Sequence, residues 1–235
     1  MRRATGVYVH GRRVAGAIGL SLLVLVPYGA KAETGYDLWL RHPRIADDAA
    51  RAAVAHVASE IAFEGTDRTI VAAGDELARG LRGLLGAPVR VLRAGTRDGT
   101  LVLGTPASSA AVRSLGWTEE LRGLGPDGFV IRSARVGGYR ATVIASQGAT
   151  GVLYGAFHFL RLAGTGARVD GLQVRERPRI ALRMLDHWDN LDGSIERGYA
   201  GRSLWKWDEL PGRVDPRVVD YARANASLGL SLIHI

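Results

Sequence analysis

Ile180-Ala181-Leu182-Arg183-Met184-Leu185-Asp186-His187-Trp188-Asp189-Asn190-Leu191-Asp192-Gly193-Ser194-Ile195-Glu196-Arg197-Gly198-Tyr199 is the stretch on which the reading of the fold turns. Its first six residues, 180–185, are an apolar run that reads as a strand. The run passes directly into a loop crowded with ionisable, amide and aromatic side chains, which extends to about residue 212. A helix then starts at Asp215-Pro216, where a capping carboxylate precedes a proline at the first helical position, and continues to about Ser227. Strand, long loop and helix make one βα unit. Such a unit cannot bury its own faces, so residues 178–229 read as the beginning of a domain rather than a whole one.

Working back from Ile180, residues 164–179 gather glycine, threonine and charged side chains around Pro178 and mark a boundary. Before it, helical and strand-like patterns alternate. Residues 46–61 read as an alanine-rich helix and 68–73 as a short strand. An amphipathic helix is predicted over 75–85, with Leu77, Leu81, Leu84 and Leu85 on one face and Gly86 as its stop. Strand-like runs follow at 89–92 and 100–103, with a turn at Gly104-Thr105-Pro106. Two further strands, 128–133 and 139–145, flank Val136-Gly137-Gly138, a hairpin signal. Residues 148–162 form another helix with Val152, Leu153, Ala156, Phe157, Phe159 and Leu160 on its apolar face. The alternation predicts an N-terminal mixed-sheet α/β domain over residues 33–165.

The formal net charge of +8 over 235 residues suggests a nucleic-acid partner only until it is divided along the chain. Residues 1–32 carry five basic and no acidic side chains, so the remainder holds only +3. A charge that small and that spread is no phosphate-binding footprint. Residues 1–32 read as a secretory signal peptide: Arg2, Arg3, Arg12 and Arg13 lead, the apolar residues 14–26 follow, and Ala30-Lys31-Ala32 is a small-x-small cleavage site. The apolar stretch is shorter than the roughly 20 residues that span a bilayer. The expectation is a secreted or periplasmic protein with no membrane contact after signal cleavage. It contains no cysteine, so its stability comes from a packed core rather than disulfides. Leu230-Ser231-Leu232-Ile233-His234-Ile235 matches one reading frame of a transposon end used in sequencing libraries; residues 230–235 are therefore expected to be adapter read-through, with the natural chain continuing past Gly229.

The loop from Asp186 onward has the side chains that sugar recognition needs. An indole face stacks against the C–H face of a sugar ring, Asp and Asn engage hydroxyls, and arginine holds a uronate carboxylate through a two-pronged contact. In a (β/α)8 barrel, active sites are built from loops at the C-terminal ends of strands. His-Trp-Asp-Asn-Leu-Asp-Gly-Ser-Ile-Glu-Arg-Gly-Tyr-Ala-Gly-Arg-Ser-Leu-Trp, residues 187–205, resembles the first barrel loop of the glycoside hydrolase family 67 α-glucuronidases. The resemblance extends to Gly35-Tyr36-Asp37-Leu38-Trp39-Leu40-Arg41, to residues 101–107, to Leu153-Tyr154-Gly155-Ala156-Phe157-His158-Phe159-Leu160 and to Asp220-Tyr221-Ala222-Arg223-Ala224-Asn225-Ala226-Ser227. It implies an N-terminal α/β domain followed by the first βα unit of a truncated (β/α)8 TIM barrel. It also implies an inverting enzyme that removes (4-O-methyl)glucuronic acid from glucuronoxylan-derived oligosaccharides. Such an enzyme needs a general acid and a general base about 6.5–9.5 Å apart. In the family these carboxylates come from later barrel strands, so no catalytic residue is assigned here and the fragment alone is expected to be inactive. The substrate-contact candidates are Trp188, Asp189, Asn190, Glu196 and Arg197. The resemblance calls for no cofactor or metal, and it allows a homodimer of the full-length enzyme.

Each candidate also has a plainer reading. His187 and Asp186 could simply hold the loop, Asp189 and Asn190 could be turn residues bonded to their own backbone, Glu196 and Arg197 could pair with each other, and Trp205 and Trp207 could be packing. Ser203-Leu204-Trp205-Lys206 fits a Ser-x-x-Lys pattern without its Lys-Thr-Gly partner. The calcium-loop pattern fails, since placing Gly193 at its sixth position puts Trp188 at its first. The six histidines show no metal-ligand spacing. Two alternatives stand beside the glucuronidase: a related hexosaminidase-like glycosidase with the same layout, and a non-catalytic carbohydrate-binding module.

Overall fold

The computed structural model describes residues 34–230 and the backbone of residues 232–234. The signal-peptide reading of residues 1–32 falls outside the described residues. From Asp37 onward the chain forms one compact unit. In chain order it holds α1 (Asp48–Val57), β1 (Glu60–Phe63), α2 (Arg68–Leu85), β2 (Arg90–Leu92), β3 (Thr100–Gly104), α3 (Ala110–Ser114), α4 (Thr118–Leu124), β4 (Phe129–Val136), β5 (Tyr139–Ser146), α5 (Ala149–Gly164), β6 (Gln173–Glu176), β7 (Met184–Asp186), α6 (Pro216–Ser227) and β8 (Leu232–His234).

Strands β1 to β6 form one mixed sheet in the order β2-β1-β3-β5-β4-β6. β2, β1, β3 and β5 run parallel, and β4 is antiparallel to both β5 and β6. The central strands alternate side chains between two faces. Leu101, Leu103, Phe129, Ile131 and Ile144 pack on one face under α2 and α5. Val102, Val130, Val143 and Ala145 pack on the other, under Val112 of α3 and Leu121 and Leu124 of α4. Helices thus cover both faces, and the central strands read as continuous apolar runs, as sheets buried on both sides do.

Several expectations shift by identifiable physics. Residues 68–73 are not a strand but the first turns of α2. Asp67 Oδ1 accepts the backbone N–H groups of Thr69 and Ile70 (2.8 and 3.1 Å), which starts a helix despite the β-branched Thr-Ile-Val run. The helix expected over 46–61 ends at Val57, and its last residues belong instead to β1. The segment read as a boundary contains β6, which adds the sixth strand beside β4. The hairpin occurs as expected: Gly137 and Gly138 have φ of 56° and 89°, the two left-handed positions of its turn. β7 is shorter than residues 180–185, and it is paired, parallel to β8. α6 begins at Pro216 with Asp215 Oδ1 accepting from Arg217 N (2.9 Å), as its capping pattern predicts.

α5 lies against the sheet because glycine lets it. A Cβ on Gly151 would sit 2.6 Å from the Gly128 carbonyl oxygen and 2.8 Å from that of Pro126, both backbone atoms that cannot swing aside. Gly151→Ala is expected to cost about 2–3 kcal/mol through overpacking, read as a lower urea midpoint with an unchanged slope.

The sheet also buries a charge. Glu60, at the start of β1, accepts from Arg97 and from Thr100 Oγ1 (2.9 Å). These bonds, Arg97 first, hold its carboxyl below the usual range against the opposing cost of burial. A carboxyl depressed in the folded state adds stability above its unfolded value of about 4.3, and loses it as pH falls through the folded value. The Coulomb part is discounted because Arg97 is half exposed. Glu60→Gln is therefore expected to cost about 1–2 kcal/mol near neutrality, and the gap from wild type should close in acid. Urea melts at pH values from about 7 to 3 check this.

Candidate functional site

The loop after β7 folds back on itself. Asp189 bridges Ile195, and Ser194 bridges Arg202. Backbone bonds join Asn190 N to Ser194 O (2.8 Å), Ile195 N to Gly201 O (3.2 Å) and Ser203 N to Gly193 O (2.9 Å). Gly193 (φ 77°) makes the turn, and Asp192 closes it by accepting from the Ser194 N–H and hydroxyl (2.8 and 2.6 Å). Those bonds, the hydroxyl first, draw the Asp192 carboxyl below its ordinary value.

A cleft of about 400 Å³ opens on this loop, lined by Trp188, Asp189, Asn190, Glu196, Arg197 and Tyr199. All five residues singled out in the sequence thus meet at one place. They divide into two kinds. Trp188, 68% exposed, and Arg197 present their side chains to solvent. Asp189 and Asn190 spend their side chains on the loop itself, the Asp189 side chain buried and Asn190 at the surface. The Asp189 side chain is only 2% exposed; its Oδ2 accepts the Ser203 hydroxyl and its Oδ1 lies 3.5 Å from His187 Nδ1. Asn190 Nδ2 donates to Ser194 Oγ (2.9 Å) and to the Glu196 carbonyl (2.6 Å).

Glu196 occupies a left-handed backbone conformation, φ 55°, which costs a non-glycine residue about 1 kcal/mol or more. Two bonds hold it there: its N–H donates to the Trp188 carbonyl (2.6 Å), and its own carbonyl takes the Asn190 amide. The backbone thus fixes the direction in which the Glu196 side chain leaves the chain. The Glu196 carboxylate bonds to the Tyr199 phenol and raises its pKa. Glu196 pairs with Tyr199 rather than with Arg197; among the described residues Arg197 forms no ion pair.

Beneath the cleft lies a part of the site that the sequence reading missed. His187 Nε2 meets the Tyr221 hydroxyl of α6 at 2.6 Å. His187, Tyr221 and Trp205 pack edge to face, with ring centroids 5.5–6.2 Å apart. Trp205, 8% exposed, is packing, as its plainer reading has it, while Trp207 stays partly exposed. Tyr199, Ser203 and Tyr221 were not singled out as site residues. Tyr199 stood two residues beyond Arg197 in the quoted loop, whereas nothing in the sequence joins Ser203 or Tyr221 to Asp189 or His187. No group of three or more His, Cys, Asp or Glu side chains that could hold a metal occurs among the described residues.

Two family profiles cover the chain: glycosyl hydrolase family 67 N-terminus over residues 38–159, and glycosyl hydrolase family 67 middle domain over residues 162–235. A probable alpha-glucuronidase A from Aspergillus fumigatus is 31% identical over 205 residues, covering 86% of this chain and 23% of that protein. The alpha-glucuronidase of Hypocrea jecorina is 31% identical over 228 residues, covering 92% of this chain and 26% of that one. The chain thus spans about a quarter of the length of these relatives. Among solved structures, a family GH115 4-O-methyl-alpha-glucuronidase with specificity for decorated arabinogalactans aligns at TM-score 0.47 and 17% identity, over 74% of this chain and 24% of its own. A Streptomyces plicatus beta-hexosaminidase aligns at 0.36 and 22%, over 58% and 26%.

Asp189→Ala should remove the acceptor that Ser203 and His187 share. The expected cost is about 1–3 kcal/mol of local stability, seen as faster hydrogen exchange at the Ser203 and Glu196 amides while β1 to β6 keep their protection. Uniform loss of protection would contradict a local role.

Proposed function

The chain belongs to glycoside hydrolase family 67, and on that premise we propose that it is the N-terminal part of an α-glucuronidase. The full-length enzyme releases glucuronic acid, methylated or plain, from xylooligosaccharides with inversion. Its family removes the hexosaminidase-like alternative; a non-catalytic carbohydrate-binding module would use the same cleft and is told apart by hydrolysis. The observation that carries the reading is the cleft itself. An exposed indole, a carboxylate, a phenol and an exposed guanidinium line an open cleft of about 400 Å³, on a loop that directly follows a strand. Trp188 supplies the stacking face, Arg197 the two-pronged contact for the uronate carboxylate, and Glu196 with Tyr199 the hydroxyl partners. Asp189 and Asn190 hold the backbone that presents them.

The same proposal makes residues 178–229 the opening of a (β/α)8 barrel. Two features support it. β7 leads through the long loop into α6, the strand-then-helix order that such a barrel repeats. Ile180 and Leu182, ahead of β7, are 66% and 61% exposed, apolar surface that further barrel elements would cover. The general acid and base then lie on later strands, about 6.5–9.5 Å apart with water between them. The chemistry is proton transfer at a glycosidic oxygen and at water, which side-chain carboxyls perform unaided. Export of the mature enzyme, directed by residues 1–32, would bring it to xylan fragments that endoxylanases release.

The test is to express the full-length gene and assay release of (4-O-methyl)glucuronic acid from aldouronic acids. Release is expected from the full-length protein and none from residues 1–235 alone; a folded full-length product without activity would reject the reading. Arg197→Gln should lower kcat/KM by about 10–100-fold, the worth of one charged contact, mostly through KM.

A further inference from the structure

A second cleft, of about 450 Å³, lies at the far end of the large sheet. Arg183, just before β7, reaches Asp127 at the end of the sheet where Phe129 pairs with Ser146. The second cleft lies at the other end of the same two strands, beside the Gly137-Gly138 hairpin. Its floor is the face of the sheet that α2 and α5 cover further along, left open here between the end of α1 and the loop that precedes β6.

Arg135 and Arg140 are register partners across β4 and β5, so their side chains leave the same face of the sheet. Like charges placed directly opposite in a sheet are unfavourable. Among the described residues neither guanidinium has a carboxylate within ion-pair distance to offset them, and Arg135 Nη1 donates instead to the Gly138 carbonyl (2.8 Å). The two carboxylates that line the cleft are engaged otherwise. Asp98 Oδ1 accepts the backbone N–H of Arg140 (2.7 Å), and Asp170 is held by Arg168 through Nε and Nη2 (3.2 and 2.8 Å). The next pair along the strands, Ser133 and Thr142, adds hydroxyls to the same floor.

A carboxylate set between two guanidinium groups turns a repulsion into two attractions, and the planar forks of arginine suit it. Hydroxyls and the free lone pairs of Asp98 suit the hydroxyls of a sugar ring. The volume falls in the range of small-molecule sites, and the open form suits one residue of a longer chain. We propose that this cleft is a second saccharide site, which binds a uronic acid with its carboxylate between Arg135 and Arg140 and its hydroxyls against Ser133, Thr142 and Asp98. The carboxylate follows from the arginine pair alone; the choice of a uronate rests on the glucuronidase reading. Such a site would hold the enzyme on decorated xylan away from the bond it cleaves.

The test titrates the isotopically labelled 235-residue chain with three probes, followed by amide NMR: a glucuronic-acid-substituted xylotriose, plain xylotriose and inorganic phosphate. The substituted sugar is expected to shift the amides of residues 98–99 and 133–142. The plain sugar should bind at least about tenfold more weakly, and so should the Arg135→Gln/Arg140→Gln variant, the loss expected for one charged contact. Both arginines are exposed, so the variant should keep the wild-type spectrum elsewhere, which the same experiment reads. Absence of binding, equal binding of the plain sugar, displacement by phosphate at equal concentration, or indifference to the double substitution would each overturn the proposal. None of these bears on the glucuronidase reading, which stands or falls with hydrolysis by the full-length enzyme. Shifts confined to residues 188–199 would likewise overturn the second site while leaving the first.

Discussion

The position of the β7 loop goes back to one buried ion pair, between Glu76 of α2 and Arg223 of α6. Arg223 Nε and Nη2 reach both carboxylate oxygens (2.5 and 3.0 Å), and a third nitrogen holds Asp220 (2.9 Å). The two side chains are 7% and 16% exposed, so removing one partner would strand the other in a poor solvent. α6 needs this tie because it buries little apolar surface: of its residues only Asn225 and Ser227 are buried. Once α6 is fixed, Tyr221 is fixed on it; Tyr221 places His187, and His187 and Ser203 together place Asp189. The cleft therefore inherits its geometry from a helix of the large sheet domain, through a chain of polar contacts.

The other ties between residues 180–230 and the sheet layer are of the same kind. Arg183 links Asp127 (2.7 Å) to the Gly229 carbonyl (2.6 Å) and lies over the Tyr154 ring, and Trp39 Nε1 donates to Ser227 Oγ (2.7 Å). Polar cross-links give little net stability, because each desolvates what it joins. They do tolerate few alternative arrangements, since hydrogen bonds are directional and an unmet buried charge is costly. A segment with little core gains from that trade: its orientation is specified without extensive apolar burial.

Much of this was legible in the sequence where a local rule had no competitor. Gly137-Gly138 demanded a hairpin, Asp215-Pro216 demanded a helix start, and the apolar runs at residues 100–103 and 139–145 could only be buried strands. The reading failed where two rules conflicted. Thr69-Ile70-Val71 favours a strand by side-chain shape, yet one capping carboxylate at Asp67 tips it into α2, and the cap outweighs the weak propensity of three residues. At the cleft, composition picked out the loop on which the cleft lies but could not sort its members. Asp189 and Arg197 are equally polar as letters; that one faces a serine and a histidine while the other faces water depends on Ser203 and Tyr221, 14 and 32 residues beyond Asp189.

That sorting changes what the loop is chemically. A cleft lined by six free polar side chains would be soft, since each would have to be ordered when a sugar arrived, at roughly 0.5–1.5 kcal/mol apiece. Here Asp189 and Asn190 have already lost that freedom to the loop itself, and the clamped backbone of Glu196 fixes where its carboxylate starts. The residues left to order are Trp188 and Arg197. An indole has two rotatable bonds and brings large contact at small entropic cost, whereas Arg197 must order a flexible stem behind its planar fork. The strain held at Glu196 is thus the counterpart of a loop organised in advance, and the hydrogen bonds to the Trp188 carbonyl and from the Asn190 amide are what keep that strain from relaxing.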